Sequence, residues 1–179
     1  MSVAWQALLA LLGLCALSLG RIDSEGARKA GVEIRPSPGK GLGAFTTRSL
    51  KLGDHLGSYE GEVLTEREWQ ARLNRKGPLL PEDDRWLASR RRRGVGLTGD
   101  YILAFGDREF ICAEDPECGN WCRYMNHGAS RPNVGLFRER GADGVSRPTF
   151  IVIESCEPGD ELLWHYGDGH FIDGAVAVE

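Results

Sequence analysis

The sequence predicts a mainly-β fold of small sheets with one or two short helices. Three observations carry this. Glycine is high, 24 residues against 8 prolines in a chain of 179, and is spread along the whole length, as turns require. Apolar residues come in short runs, several of them alternating with polar ones. Turn signals such as Pro38-Gly39 and Pro158-Gly159 separate these runs. A hydrophobic content of 41% with 27% charged residues is ordinary globular usage, and the length suits one domain. The formal net charge of −4 argues against a general nucleic-acid binder, so no direct nucleic-acid contact is expected.

Taken in order, residues 1–20 stand apart. Ala7 to Leu19 is nearly all Ala, Leu and Gly, about the length of a signal-peptide core and short for a membrane span. Small residues at Ser18 and Gly20 suit a signal peptidase, although Met1 to Gln6 carries no Lys or Arg. This favours a secretory or organellar address through a signal peptide or N-terminal anchor, with nucleus or cytoplasm the alternative if the segment is not a signal. A stable membrane span is expected only if the segment is retained. Residues 21–31 read as a polar linker.

The body runs from 32 to 167. Val32-Glu33-Ile34-Arg35 alternates as a half-buried strand does, then Pro36 to Gly43 reads as a turn-rich loop before Ala44-Phe45. Leu56 to Leu64 reads as one strand. Thr65 and Glu68 form a helix-start signature, with Trp69 and Leu73 expected on the buried face. A variable insert at about 70–100 follows. Its residues 76–99, with Glu82-Asp83-Asp84 and four arginines from Arg90 to Arg93, read as solvated surface or as a lip beside a groove. Tyr101 to Phe105 and Glu109 to Ala113 look like two strands joined at Gly106-Asp107. Thr149 to Ile153 is the clearest strand, and a turn at Glu157 to Asp160 leads into Glu161 to Gly167. Residues 168–179 form a short tail.

The five cysteines are Cys15, Cys112, Cys118, Cys122 and Cys156. Cys118 and Cys122 are four apart with no second pair, which does not fit common zinc ribbons, so no metal is expected and reduced thiols are the reading.

Three segments carry chemistry. The first is Gly41-Leu42-Gly43, followed by Tyr59-Glu60-Gly61-Glu62. The second is Gly119 to His127, with Arg123-Tyr124-Met125-Asn126-His127 at its end and Pro132-Asn133 beyond. The third is Pro158-Gly159-Asp160-Glu161-Leu162, leading to Tyr166-Gly167. In this order and spacing they resemble the SET domain of protein-lysine methyltransferases, over about Val32 to Gly167. The resemblance implies a β-clip fold with a knot-like crossing that brings Asn126-His127 beside Tyr166. It also implies S-adenosyl-L-methionine as cofactor and a protein or peptide bearing lysine, histone or not, as substrate. Lys40, Gly41, Leu42, Gly43, Arg123, Asn126, His127 and Tyr166 match the family's cofactor contacts. Tyr166 and Tyr59 match its catalytic tyrosines, and Tyr59, Tyr101, Trp164 and Phe171 its substrate channel. The implied reaction is attack by a neutral amine on a methyl carried by a positively charged sulfur. Free lysine has a pKa of about 10.4, so a dry aromatic channel that favours the neutral amine is required.

The chain departs from the family pattern at Cys112, where Asp is frequent, at Gly128-Ala129 in place of Ser-Cys, and at His165 in place of Asp. Trp164 stands where Phe or Tyr is common, a position linked to how many methyl groups fit. The residues after Gly167 contain no cysteine, so a zinc-binding post-SET segment is not expected and His170, Phe171 and Ile172 are candidates for the missing channel wall. Asn120-Trp121-x-Arg123-Tyr124-x-Asn126 also resembles the PR branch of the superfamily. That likeness keeps a second reading open, a weakly active or inactive protein-interaction module on the same fold.

Overall fold

The computed structural model describes residues 24–105 and 109–167. The N-terminal apolar segment, the Gly106-Asp107 turn and the tail with His170, Phe171 and Ile172 lie outside the described residues.

The expected linker is in part a helix. Helix α1 (Ser24–Ala30) buries Ala27 against the first strand, and Glu25 and Lys29 pair across one turn at 2.8 Å. Strands β1 (Val32–Ser37) and β2 (Gly41–Thr46) then form an antiparallel hairpin, with Val32 opposite Thr46 and Ser37 opposite Gly41. The loop expected through Gly43 is therefore confined to residues 38–40, where Gly39 turns the chain at φ 74°.

The single strand expected over 56–64 divides in two. Strand β3 (His55–Ser58) joins one sheet and β4 (Glu62–Thr65) another, because the chain crosses between them at Tyr59 to Gly61. Gly61 makes the crossing possible: a Cβ there would stand 2.6 Å from the Cys112 carbonyl oxygen. Helix α2 (Glu66–Arg72) starts as expected, with Thr65 and Glu68 capping each other reciprocally. Its fully buried side chains are Ala71 and Arg72; Trp69 and Leu73 are half-buried, and Trp69 stacks on Phe110 at 4.1 Å.

The charged stretch read as solvated surface contains helix α3 (Pro81–Arg93), opened by Pro81 and closed by Gly94 in the left-handed conformation at φ 68°. Its acidic first turn and basic last turn complement the helix dipole. Two of its charges are buried. Asp83 is held by Arg67 at 2.6 Å and by Arg72 at 2.7 Å. Arg90, 1% exposed, reaches Glu62 at 2.8 Å and Glu114 at 3.4 Å and lies over the Trp86 ring at 4.1 Å. Strands β5 (Ile102–Ala104) and β6 (Glu109–Cys112) complete the three-stranded sheet in the order β4-β6-β5.

After a 3-10 turn at Trp121–Tyr124 come β7 (Asn126–His127), β8 (Val134–Arg140), β9 (Ser146–Val152) and β10 (Leu163–Trp164). They form a five-stranded sheet in the order β3-β9-β8-β10-β7. The last strand thus enters between two strands consecutive in sequence, parallel to both, and the 128–133 connection has to pass across it. Asn133 fastens the crossing, donating from its side chain to the Glu161 carbonyl and accepting from the Leu163 N–H, both at 2.8 Å. Phe150, Val152, Val134, Leu162, Met125 and Trp121 form the core beneath this crossing. No helix among the described residues is long and apolar enough to cross a membrane.

Candidate functional site

The crossing places β7 and the 166–167 segment side by side, and a cavity of about 720 Å³ opens there. Lys40, Gly41, Leu42, Tyr59, Tyr101, Arg123, Asn126, Trp164 and Tyr166 all line it, although they are scattered over more than a hundred positions of the chain. At one end Gly41 presents its backbone at φ 79° with open space where a Cβ would stand. Lys40 reaches over from the hairpin turn to donate to the His127 carbonyl at 2.9 Å.

The middle of the cavity is organised by the Met125 carbonyl. The Tyr166 hydroxyl donates to it at 2.9 Å and the Trp164 indole N–H at 3.1 Å. The two rings lie 4.6 Å apart, and Trp164 meets Phe150 edge-on at 5.3 Å, so the indole closes the cavity from the core side. His127 Nδ1 accepts the Tyr166 backbone N–H at 3.2 Å, which leaves the ring's proton on Nε2 and ties β7 to the tyrosine. From the other wall the Tyr59 hydroxyl donates to the Tyr101 carbonyl at 3.1 Å. Burial pushes the Tyr59 phenol far above its ordinary range, with the neighbouring Tyr166 adding to it. Burial, then the nearby Tyr101 and Glu161, pushes Tyr166 up to about 12. Both phenols therefore keep their protons at neutral pH and act as neutral hydrogen-bonding groups.

Gly43 and Arg123 sit differently from the sequence reading. Gly43 does not line the cavity: the space a side chain would need there is taken by the Glu161 carboxylate, Phe45 and Ser37. Its lack of a Cβ makes room for protein. Arg123 lines the cavity, but its guanidinium donates to the carbonyls of Ala113 and Glu114 and lies 4.0 Å over the Tyr101 ring, so its visible partners belong to the protein. Phe171 lies outside the described residues.

The sequence reading also missed contributors. The Met125 carbonyl is a backbone group and leaves no residue-type signal. Trp69 and Phe110, stacked on each other in the cavity lining, come from α2 and from β6, which no single motif joins. Glu161 is the third omission. The Asn126 amide donates to its Oε1 at 2.8 Å and to the Leu42 carbonyl at 3.1 Å. A carboxylate inside the third segment, one residue before the buried Leu162, was the available signal.

A threaded strand thus builds one aromatic-walled cavity beside a glycine-bearing hairpin. The chain belongs to the SET-domain family, whose model matches residues 41–167. It is 24% identical over 131 residues to the histone-lysine N-methyltransferase EZH2 of Chaetomium thermophilum, covering 72% of this chain and 7% of that protein. It is 27% identical over 135 residues to the human histone-lysine N-methyltransferase that is H3 lysine-36 specific, covering 75% and 4% respectively. To the histone-lysine N-methyltransferase MEDEA of Arabidopsis thaliana it is 30% identical over 128 residues, covering 70% and 15%. The chain thus spans only a small part of the length of these relatives.

Proposed function

We propose that this protein is an S-adenosyl-L-methionine-dependent methyltransferase acting on a lysine side chain of a protein substrate. The observation that carries the reading is the convergence of two neutral phenols, the buried Tyr59 and the half-buried Tyr166, on the cavity that Gly41, Leu42 and Asn126 line. A volume of about 720 Å³ falls in the range of sites for ligands of this size. The open backbone at Gly41 and the carboxamide of Asn126 fit the amino-acid part of such a cofactor. When bound, S-adenosyl-L-methionine supplies a methyl group on a positively charged sulfur.

The chain's own residues supply position and dryness. Trp164, Tyr166, Tyr59 and Tyr101 give the cavity an aromatic wall, and an incoming lysine amine that leaves water against it is favoured in its neutral form. Tyr166 is held by two anchors, its hydroxyl on the Met125 carbonyl and its backbone on His127, so its oxygen has a defined place. A phenolic oxygen that donates its proton can still accept, and here it would aim the weak C–H contacts of a polarised methyl. In-line alignment of amine and methyl is the main source of rate. Neither tyrosine serves as a base at neutral pH, because each retains its proton. The relatives' names motivate a histone among the substrates to be tried.

The test is transfer of labelled methyl from the cofactor to lysine peptides by the full chain. Labelled lysine in the product supports the reading. Cofactor binding without transfer to any lysine peptide would replace it with the interaction-module reading, and absence of cofactor binding would remove the enzyme reading.

A further inference from the structure

Asn126 is held on one side by two groups that can only accept. Its Nδ2 donates to the Leu42 carbonyl at 3.1 Å and to Glu161 Oε1 at 2.8 Å. A flipped carboxamide would set its oxygen against both acceptors, so the orientation is forced by chemistry. Oδ1 is left as the atom that Asn126 can offer to the cavity it lines. Glu161 is in turn held: its Oε2 accepts from the Ser37 hydroxyl at 3.1 Å, its carbonyl accepts from Asn133, and Gly43 leaves room for its carboxylate. Ser37 lies on β1 and is 5% exposed, and it precedes the span matched by the family model. The brace on Glu161 therefore comes from a strand outside that matched span.

We infer that Glu161, braced by Ser37, is a positioning residue that locks Asn126 with its carbonyl oxygen toward the cavity and so makes the site select a ligand carrying a protonated amine. The inference rests on the cofactor reading given above and deepens it. Glu161 does not touch the ligand in this scheme. It acts through Asn126, by fixing the carboxamide and by placing negative charge behind it. The amine of the cofactor's amino-acid part is the matching donor.

The experiment compares two probes on the full chain by calorimetry: S-adenosylhomocysteine, and the same molecule with its α-amine replaced by hydrogen. The wild-type protein is expected to bind the amine-bearing probe more tightly. In Glu161→Gln the side chain can present either a donor or an acceptor to Asn126. Binding of the amine-bearing probe is expected to weaken about tenfold, the scale of one hydrogen bond to a charged group, while the amine-free probe is unaffected. Ser37→Ala, which keeps Glu161 but removes its brace, is expected to shift the same preference in the same direction by a smaller factor. This second variant keeps the proposal open to refutation if Glu161→Gln does not fold. Equal weakening of both probes, or no change in their ratio in either variant, overturns the positioning role and leaves the cofactor reading standing. A wild-type protein that binds neither probe overturns both.

Discussion

The two sides of this molecule are held by opposite means. Around helix α3, buried charges answer one another: Asp83 between Arg67 and Arg72, and Arg90 between Glu62 and Glu114. Around the Met125 carbonyl the groups are neutral phenols and an indole, each donating to a backbone oxygen. A buried ion pair is costly to break because the surviving charge is stranded, whereas a neutral hydrogen bond lost at a cavity wall costs little stability. Substitutions on the charged side should therefore act on folding and those on the aromatic side on turnover. Glu114 joins the two sides. It meets Arg90 with one oxygen, and with the other it accepts from the backbones of Thr98 and Gly99 at 2.7 and 2.6 Å, just before Tyr101.

The largest expected effect is on the charged side. Arg90→Ala takes the buried cation from between Glu62 and Glu114 and should lower stability by about 3 kcal/mol, read from the urea midpoint. An unchanged midpoint would break the comparison at its root. On the aromatic side, Tyr166→Phe should reduce methyl transfer on the order of a hundredfold by loosening the alignment. Its loss of stability should be only about 1 kcal/mol. A variant that unfolds before it slows would show the tyrosine to be structural.

Acid sharpens the contrast. The Arg67 hydrogen bonds lead, with Leu80 N–H and Arg72 also contributing, in holding the Asp83 carboxyl well below the usual range. A depressed carboxyl stabilises the fold above the unfolded value of about 3.9. That contribution is lost as pH falls below this point toward the folded value. Wild type should therefore lose stability there, and Asp83→Asn should flatten the acid limb of a stability-versus-pH curve. The smallest effect is local: Thr65→Ala removes the cap of α2 and should cost about 1 kcal/mol, seen as a modest drop in melting temperature.

What was legible in the sequence follows the same divide. Short-range rules read the α2 start correctly, since Thr65 and Glu68 meet within one turn. Period-two alternation found β1, but it carried no sign that the 56–64 run changes sheets at Gly61, because that break depends on Cys112, some fifty residues later in the chain. Strand β8 escaped notice: its second half carries Arg138, Glu139 and Arg140, and its pairing with β9 decides it. The α3 arginines looked like one solvated run, yet Arg90 turns inward because Glu62 and Glu114, distant in sequence, wait for it. At the cavity, the resemblance drew attention to the tyrosines and Asn126, which line it. It could not foresee that Gly43 serves Glu161 or that a backbone carbonyl stands at the centre.

The position of β10 has one more consequence. It is the final strand of the described chain and also an interior strand of its sheet, flanked by β7 and β8. Without Leu163 and Trp164 nothing joins β7 to the rest of its sheet, and β8 lacks its second neighbour. Clipping the protein before Leu163 would leave β7 detached and two raw strand edges exposed to other chains, so this architecture ties solubility and the completion of the cavity to the same few residues.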